Sequence, residues 1–124
     1  LSDDEILIIE IAAILHDIGI VEAERKYNSC SGHYQEIEGP PVARELLSDL
    51  EINAEQLDRI CHIIGNHHSY QKIDGIDFQI IVEADFLVNI FEEEISGSAV
   101  KSIREKYFKT KTGIEIIEEM YLRF

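Results

Sequence analysis

The stretch FQIIVEADFLVNIF, residues 78–91, decides the fold class. Its first five residues could pass for a buried strand, because a short apolar run does not by itself separate strand from helix. The continuation separates them. Ile80, Ile81, Ala84, Leu87, Val88 and Phe91 recur at helical spacing, so the stretch reads as one long helix with a broad apolar face, capped by Asp77. With this segment helical, no strand remains to be placed, and the chain reads as all-α, a helical bundle.

Working outward, the other elements fit the same class. Residues 3–18 form an apolar-periodic helix with Ser2 or Asp3 as N-cap and acids in its first turn, where the helix dipole favours them. Gly19 closes it as a residue just past the helix end. Residues 20–37 hold Asn28, Ser29, Ser31 and Gly32 and read as a loop with one short helical turn. Pro40 and Pro41 suit the first turn of a second helix, which runs through Val42, Leu46 and Leu47. Asn53 and Gln56 are spaced as a capping pair for a third helix through Leu57, Ile60, Cys61 and Ile64. Residues 69–76 read as a loop ending at Gly75. Beyond the long helix, Gly97 precedes a helix over residues 98–108, and Gly113 interrupts the chain before a last helix through Ile116, Ile117 and Met120.

The chain has 124 residues, 45% of them hydrophobic and 29% charged, which suits one domain with a single core. No apolar run approaches the roughly 20 residues of a membrane span, and no secretory signal is visible. Cys30 and Cys61 stand far apart in no CxxC pair and read as reduced thiols of a cytoplasmic protein. The net charge of −14 repels nucleic acid polymers and anionic membranes, so neither is expected as a partner. It leaves room for a small anionic substrate held by local cations, and for a divalent metal that relieves part of the charge. A homodimer is left open. The basic residues Lys101, Arg104, Lys106, Lys109 and Lys111 read as an exposed face.

Polar residues interrupt the apolar faces at four places: His16-Asp17 in AAILHDIG (12–19), His67-His68 after Ile64-Gly65-Asn66, Asp85 in VEADFLVNI (82–90), and His33 in the intervening loop. Each has a bland reading by itself. Asp85 falls four residues after Ile81 and three before Val88, on their apolar side, where a carboxylate needs a partner such as an arginine or a cation. His16 could be a satisfied core histidine, and His67-His68 a helix end whose imidazoles suit the dipole. Taken together they form a set that a divalent metal wants, neutral imidazoles and carboxylates converging from several elements. Adjacent helical residues point about 100° apart, so His16 and Asp17 share an ion only if it lies between their directions or if Asp17 bridges two ions. A mixed nitrogen and oxygen set suits Mn, Fe, Co, Ni, Zn or Mg, and the lack of a thiolate cluster argues against structural zinc.

AAILHDIG, IIGNHH (63–68) and VEADFLVNI, in this order on an all-α background, resemble the HD-domain superfamily of metal-dependent phosphohydrolases. KYNSCSGHYQEIEGPPVARELL (26–47) and HHSYQKIDGIDFQIIVEADFLVNIF (67–91) resemble more narrowly a group of small bacterial and archaeal HD proteins. The resemblance implies a helical bundle of the HD-domain type over residues 1–124. It implies His16, Asp17 and Asp85 as metal ligands, with His67 a ligand where two metals bind and His68 either a second ligand or a phosphate contact. Asp17, His67 and His68 become the catalytic candidates.

Three positions depart from the family pattern. Relatives carry a first histidine on a helix well upstream of the HD pair; here 15 residues precede His16 and none is histidine, so the expectation is a single HD domain without that helix. Another family histidine often precedes the glycine of the EGPP segment. The matching place is Gln35, with His33, Glu36 and Glu38 as neighbours able to substitute, and His33 is carried forward as a metal candidate. Relatives often have lysine after HDIG, where this chain has Ile20. The implied reaction is hydrolysis of a phosphoester, with a nucleotide one candidate substrate, through a metal-activated water. Arg25, Lys26, Arg44 and Lys72 are candidates for holding the phosphate. The alternative is an HD fold that binds metal or nucleotide without turnover, as a regulatory module.

Overall fold

The computed structural model describes residues 1–123. Seven α-helices follow one another, with no strand among the described residues: α1 Asp3–Leu15, α2 Ile20–Tyr27, α3 Gly32–Leu47, α4 Ala54–Ile64, α5 Ile76–Glu92, α6 Gly97–Tyr107 and α7 Lys111–Ile117. A 3-10 turn spans Tyr70–Lys72, and a π-helical turn, Glu118–Leu122, follows α7. Two compact units emerge, residues 1–73 and residues 74 onward. None of these helices is long and apolar enough to cross a membrane.

In the first unit α4 packs on α1 and α3, and α2 packs on α3. Two of its helices start where local chemistry says they should. The Ser2 hydroxyl accepts from Glu5 N at 3.1 Å while Glu5 returns a bond to Ser2 N at 2.9 Å; Asn53 and Gln56 form the same reciprocal box at 2.8 and 3.1 Å.

Three expectations need correction here. Residues 20–37 are mostly helical: only residues 28–31 connect α2 to α3, and Asn28 ends α2 in the left-handed region at φ 53°. Pro40 and Pro41 lie in the middle of α3, not in its first turn. Proline there removes donors from the helix ladder, but side chains of the preceding turns are tied to distant segments. Glu38 accepts from Lys26 Nζ at 2.7 Å and Tyr27 Oη at 3.0 Å, and Glu36 accepts from Ser69 Oγ at 2.9 Å. Tertiary bonds thus hold a segment whose Gly, Ser and His composition reads locally as loop.

Gly19 is the third correction. α1 ends at Leu15, and Gly19 has φ −78°, so no left-handed cap operates there; it is the residue before α2. Its role is close approach. A Cβ at Gly19 would stand 2.5 Å from the Gln35 carbonyl oxygen and 2.7 Å from Gly39 N, both backbone atoms of α3. A Cβ at Gly39 would in turn meet Ile64 Cγ2 at 2.7 Å. Gly19→Ala should therefore cost about 3 kcal/mol or more, the upper end for overpacking, since backbone cannot swing aside as a side chain can. Denaturant melts of the variant would show this; a loss under about 1 kcal/mol would mean the α1–α2 turn moves freely.

In the second unit Ile90, Val100, Phe108 and Ile117 form a buried cluster, with Phe86, Leu87, Ile103 and Ile114 packed against it. This places the apolar face of α5 differently from the periodicity. Ile81 is buried, but Ala84 is exposed, Val88 is 54% exposed and Phe91 72%. The first turns of α5 are enclosed almost all round, from Asp77 to Val82 and Glu83, whereas its last turns bury only the Phe86, Leu87 and Ile90 side. The helix begins at Ile76 with Gly75 before it; Asp77 sits inside the first turn and accepts from Phe78 N at 2.8 Å. Gly113 lies within α7, which Thr110 caps by accepting from Gly113 N at 3.0 Å. Lys101, Lys106, Lys109 and Lys111 are exposed as expected, while Arg104 is partly covered and pairs with Glu118 at 2.8 Å.

Candidate metal centre

Within the first unit, the turns that end α1 and α4 bring together His16, Asp17, His67 and His68. His16 is the C-cap of α1, and its Nδ1 lies 2.8 Å from the Ala13 carbonyl oxygen one turn back. His67 repeats the device after α4, with Nδ1 2.7 Å from the Ile64 carbonyl. A carbonyl only accepts, so each neutral ring carries its proton on Nδ1 and presents a lone pair at Nε2. The two rings meet edge to face with centroids 5.4 Å apart. His16 Nε2 lies 3.2 Å from Asp17 Oδ2, and His67 Nε2 lies 3.5 Å from Asp17 Oδ1.

The Asp17 carboxylate is half exposed and lies beside two imidazoles, first His16 and then His67, whose protonated forms would hold it far below the ordinary carboxylate range. It is ionised at neutral pH. Two imidazole lone pairs and an ionised carboxylate all accept, so the corner needs a cation. The sharpest sign is His67 Nε2, which is fully buried and has no hydrogen-bond partner, since 3.5 Å is too long for one. Donor atoms each about 2.1 Å from a shared ion lie roughly 3.0–3.4 Å apart, close to the spacings here. The residues present therefore fit a divalent metal.

His68 lies beside His67 with ring centroids 3.9 Å apart and the planes tilted by 43°, and Asp17, His67 and His68 offer ligand atoms within 4.8 Å of one another. Glu36 holds this turn from α3. Its carboxylate accepts from His68 N at 3.1 Å and from the Ser69 hydroxyl at 2.9 and 3.0 Å. Gln35, read in the sequence only as a departure from a family histidine, reaches His68 Nε2 through its Oε1 at 3.1 Å. No spacing rule connects α3 to a turn more than 30 residues away, so the sequence carries no signal for either contact.

The remaining candidates fall as follows. His33 is exposed in the first turn of α3, its ring beside Tyr34 with centroids 5.3 Å apart, and it joins none of the ligand groups among the described residues. Asp85 stands on α5 in the second unit and is partly buried. The most buried carboxylate of that helix is Glu83, at 3% exposed, which the sequence did not single out. Arg25 pairs with Glu22 at 2.7 Å, Lys26 with Glu38 at 2.7 Å and Arg44 with Asp58 at 2.9 Å. Lys72 is exposed at the end of the 3-10 turn, four residues past His68.

An all-α chain that sets a His-Asp pair and a His-His pair at neighbouring helix ends, with lone pairs converging on a carboxylate, belongs by its chemistry among divalent-metal proteins. The chain is a member of the HD-domain family, whose model matches residues 2–120 and so spans both units. HD domains bind divalent metals, and the family places the chain in a superfamily of metal-dependent phosphohydrolases. Neither the curated proteins nor the solved structures give a match.

Proposed function

We propose that this HD domain hydrolyses a phosphoester of a small molecule, a nucleotide being the first class to test, and that His16, Asp17 and His67 hold the divalent metal, with Asp85 the further ligand that the family pattern implies. The observation that carries the reading is the pairing of His16 and His67, each tied through Nδ1 to a backbone carbonyl and each turning Nε2 to the same carboxylate. When bound, a divalent ion supplies polarisation of a phosphoryl oxygen and activation of a water as nucleophile. The chain's part is preorganisation. The Ala13 and Ile64 carbonyls fix the tautomers of two ligands, and Asp17 supplies the negative charge that makes the corner selective for a cation. His68, beside His67 and braced by α3, would serve as a second ligand or a phosphate contact. Arg25, Lys26, Arg44 and Lys72 are the phosphate-holding candidates; Arg25 and Arg44 would exchange a largely exposed ion pair, worth little in water, for the substrate, whereas Lys26 would have to leave the buried carboxylate of Glu38.

Mn2+, Co2+ or Zn2+ should raise the melting temperature relative to chelator, because an ion that binds only the native state at about 100 times its Kd adds about 2.7 kcal/mol. The same metals should support phosphate release from a panel of nucleotides and simple phosphoesters. Identical melting curves across the metal panel sink the metal centre. Metal-dependent stabilisation with no turnover on any substrate points to the binding module that does not hydrolyse.

Asp85→Asn separates this reading from a structural one. The variant keeps the side chain's shape and one acceptor oxygen but loses the charge. Zn2+ affinity measured by calorimetry should fall sharply, while the stability of the metal-free protein holds. A carboxylate kept for a buried arginine partner would behave in the opposite way, with about 3–5 kcal/mol lost in chelator and metal binding unchanged.

A further inference from the structure

Gln35, in the first turn of α3, has both ends of its amide engaged. Its Nε2 donates to the Cys30 carbonyl at 2.5 Å, and its Oε1 lies 3.1 Å from His68 Nε2. The Cys30 carbonyl can only accept, so the amide cannot be turned round, and the atom that faces His68 is an acceptor. In the neutral ring His68 Nε2 must then carry the proton, which leaves the lone pair on Nδ1.

We infer that Gln35 is a positioning residue that makes His68 an Nδ1 donor to the metal, opposite in sense to His16 and His67, which are held as Nε2 donors. The inference rests on the metal-centre reading above. Two features of α3 divide the work. Glu36 fixes the backbone of the histidine turn through His68 N and Ser69 Oγ, and Gln35 fixes the tautomer of the ring. Gly32 makes room for this, since a Cβ there would press on His68 Cγ and Cδ2 at 3.1 Å. The ring that loses its Gln35 acceptor is free to carry its proton on Nδ1, and that form offers the ion no lone pair there.

The test reads the tautomer directly, on metal-free protein, by long-range 1H–15N spectroscopy of the imidazoles at about pH 8, above the ordinary histidine range. In the wild type His68 should carry its proton on Nε2, and His16 and His67 on Nδ1. Gln35→Leu should give His68 a mixture of the two forms and weaken Zn2+ binding, read by calorimetry, by about 10–100-fold, the usual cost of losing an outer partner of a ligand. Gln35→Glu keeps an acceptor toward His68 Nε2 while giving up the bond to the Cys30 carbonyl, and should keep the wild-type tautomer. A wild-type His68 protonated on Nδ1 overturns the inference, as does a Gln35→Leu protein with unchanged tautomer and unchanged Zn2+ affinity. If Gln35→Leu does not fold, the wild-type and Gln35→Glu spectra decide. A wild type that binds no Zn2+ overturns the metal reading instead, and the tautomer spectrum still judges Gln35 separately.

Discussion

Asp17→Ala should lower Zn2+ affinity by more than about 100-fold, since even the outer partners of ligands cost 10–100-fold when removed. Metal-dependent phosphate release should fall to background. Asp17 faces both Nε2 atoms, at 3.2 and 3.5 Å, so its removal takes away the carboxylate shared by the two imidazoles. The fold should survive. α1 ends at Leu15 and is capped at its far end by Ser2 and Glu5, and the Asp17 side chain is 48% exposed, so alanine leaves no cavity. Circular dichroism in chelator should match the wild type. A variant that keeps wild-type metal affinity and turnover would falsify the role of Asp17, and the centre would have to be sought elsewhere.

The largest effect on stability should come from Glu83→Ala. The Glu83 carboxylate is buried and accepts four hydrogen bonds. They come from Gln79 Nε2 at 2.6 Å, Lys109 N at 3.0 Å, Thr110 N at 3.1 Å and Thr110 Oγ1 at 2.6 Å. The three bonds from Lys109 and Thr110 join α5 to the turn between α6 and α7, and Gln79, on α5 itself, adds a bond of 2.8 Å to the Tyr107 carbonyl. A Cβ on Gly113 would collide with Glu83 Oε1, which accounts for a glycine inside α7 despite a propensity cost of about 1 kcal/mol. Alanine at 83 strands several donors at once, each worth about 1–3 kcal/mol when left buried. Some will find water, and the expected loss is about 3–5 kcal/mol in denaturant melts. A loss below about 1 kcal/mol would show that the α6–α7 turn is held by its apolar cluster alone.

The second unit also shows where periodicity stops being informative. Ala84, Val88 and Phe91 have the spacing of a core stripe, yet all three face solvent. α5 is apolar on more than one side, so its own pattern cannot say which side is taken. That choice falls to α6 and α7, which bury the Ile90 side with Val100, Phe108 and Ile117. The same ambiguity explains why Asp85 stood out in the sequence while the more deeply buried Glu83 passed as an ordinary charged residue.

What the sequence determined by itself lies within one helical turn. The all-α class, the Ser2–Glu5 and Asn53–Gln56 boxes, and the His16-Asp17 and His67-His68 pairs at helix ends all follow from neighbours three or four residues apart. Even the tautomers of His16 and His67 are set locally, by carbonyls three residues back. Only the tertiary structure decided the rest. It made residues 32–39 helical, turned Gly19 from an expected cap into a point of close approach, and brought Gln35 and Glu36 against His68. The physical reason is the same in each case. A helix cap is satisfied by atoms the chain has already placed, whereas steric room at a glycine, or an acceptor for a ring proton, depends on backbone that arrives from a segment remote in the sequence.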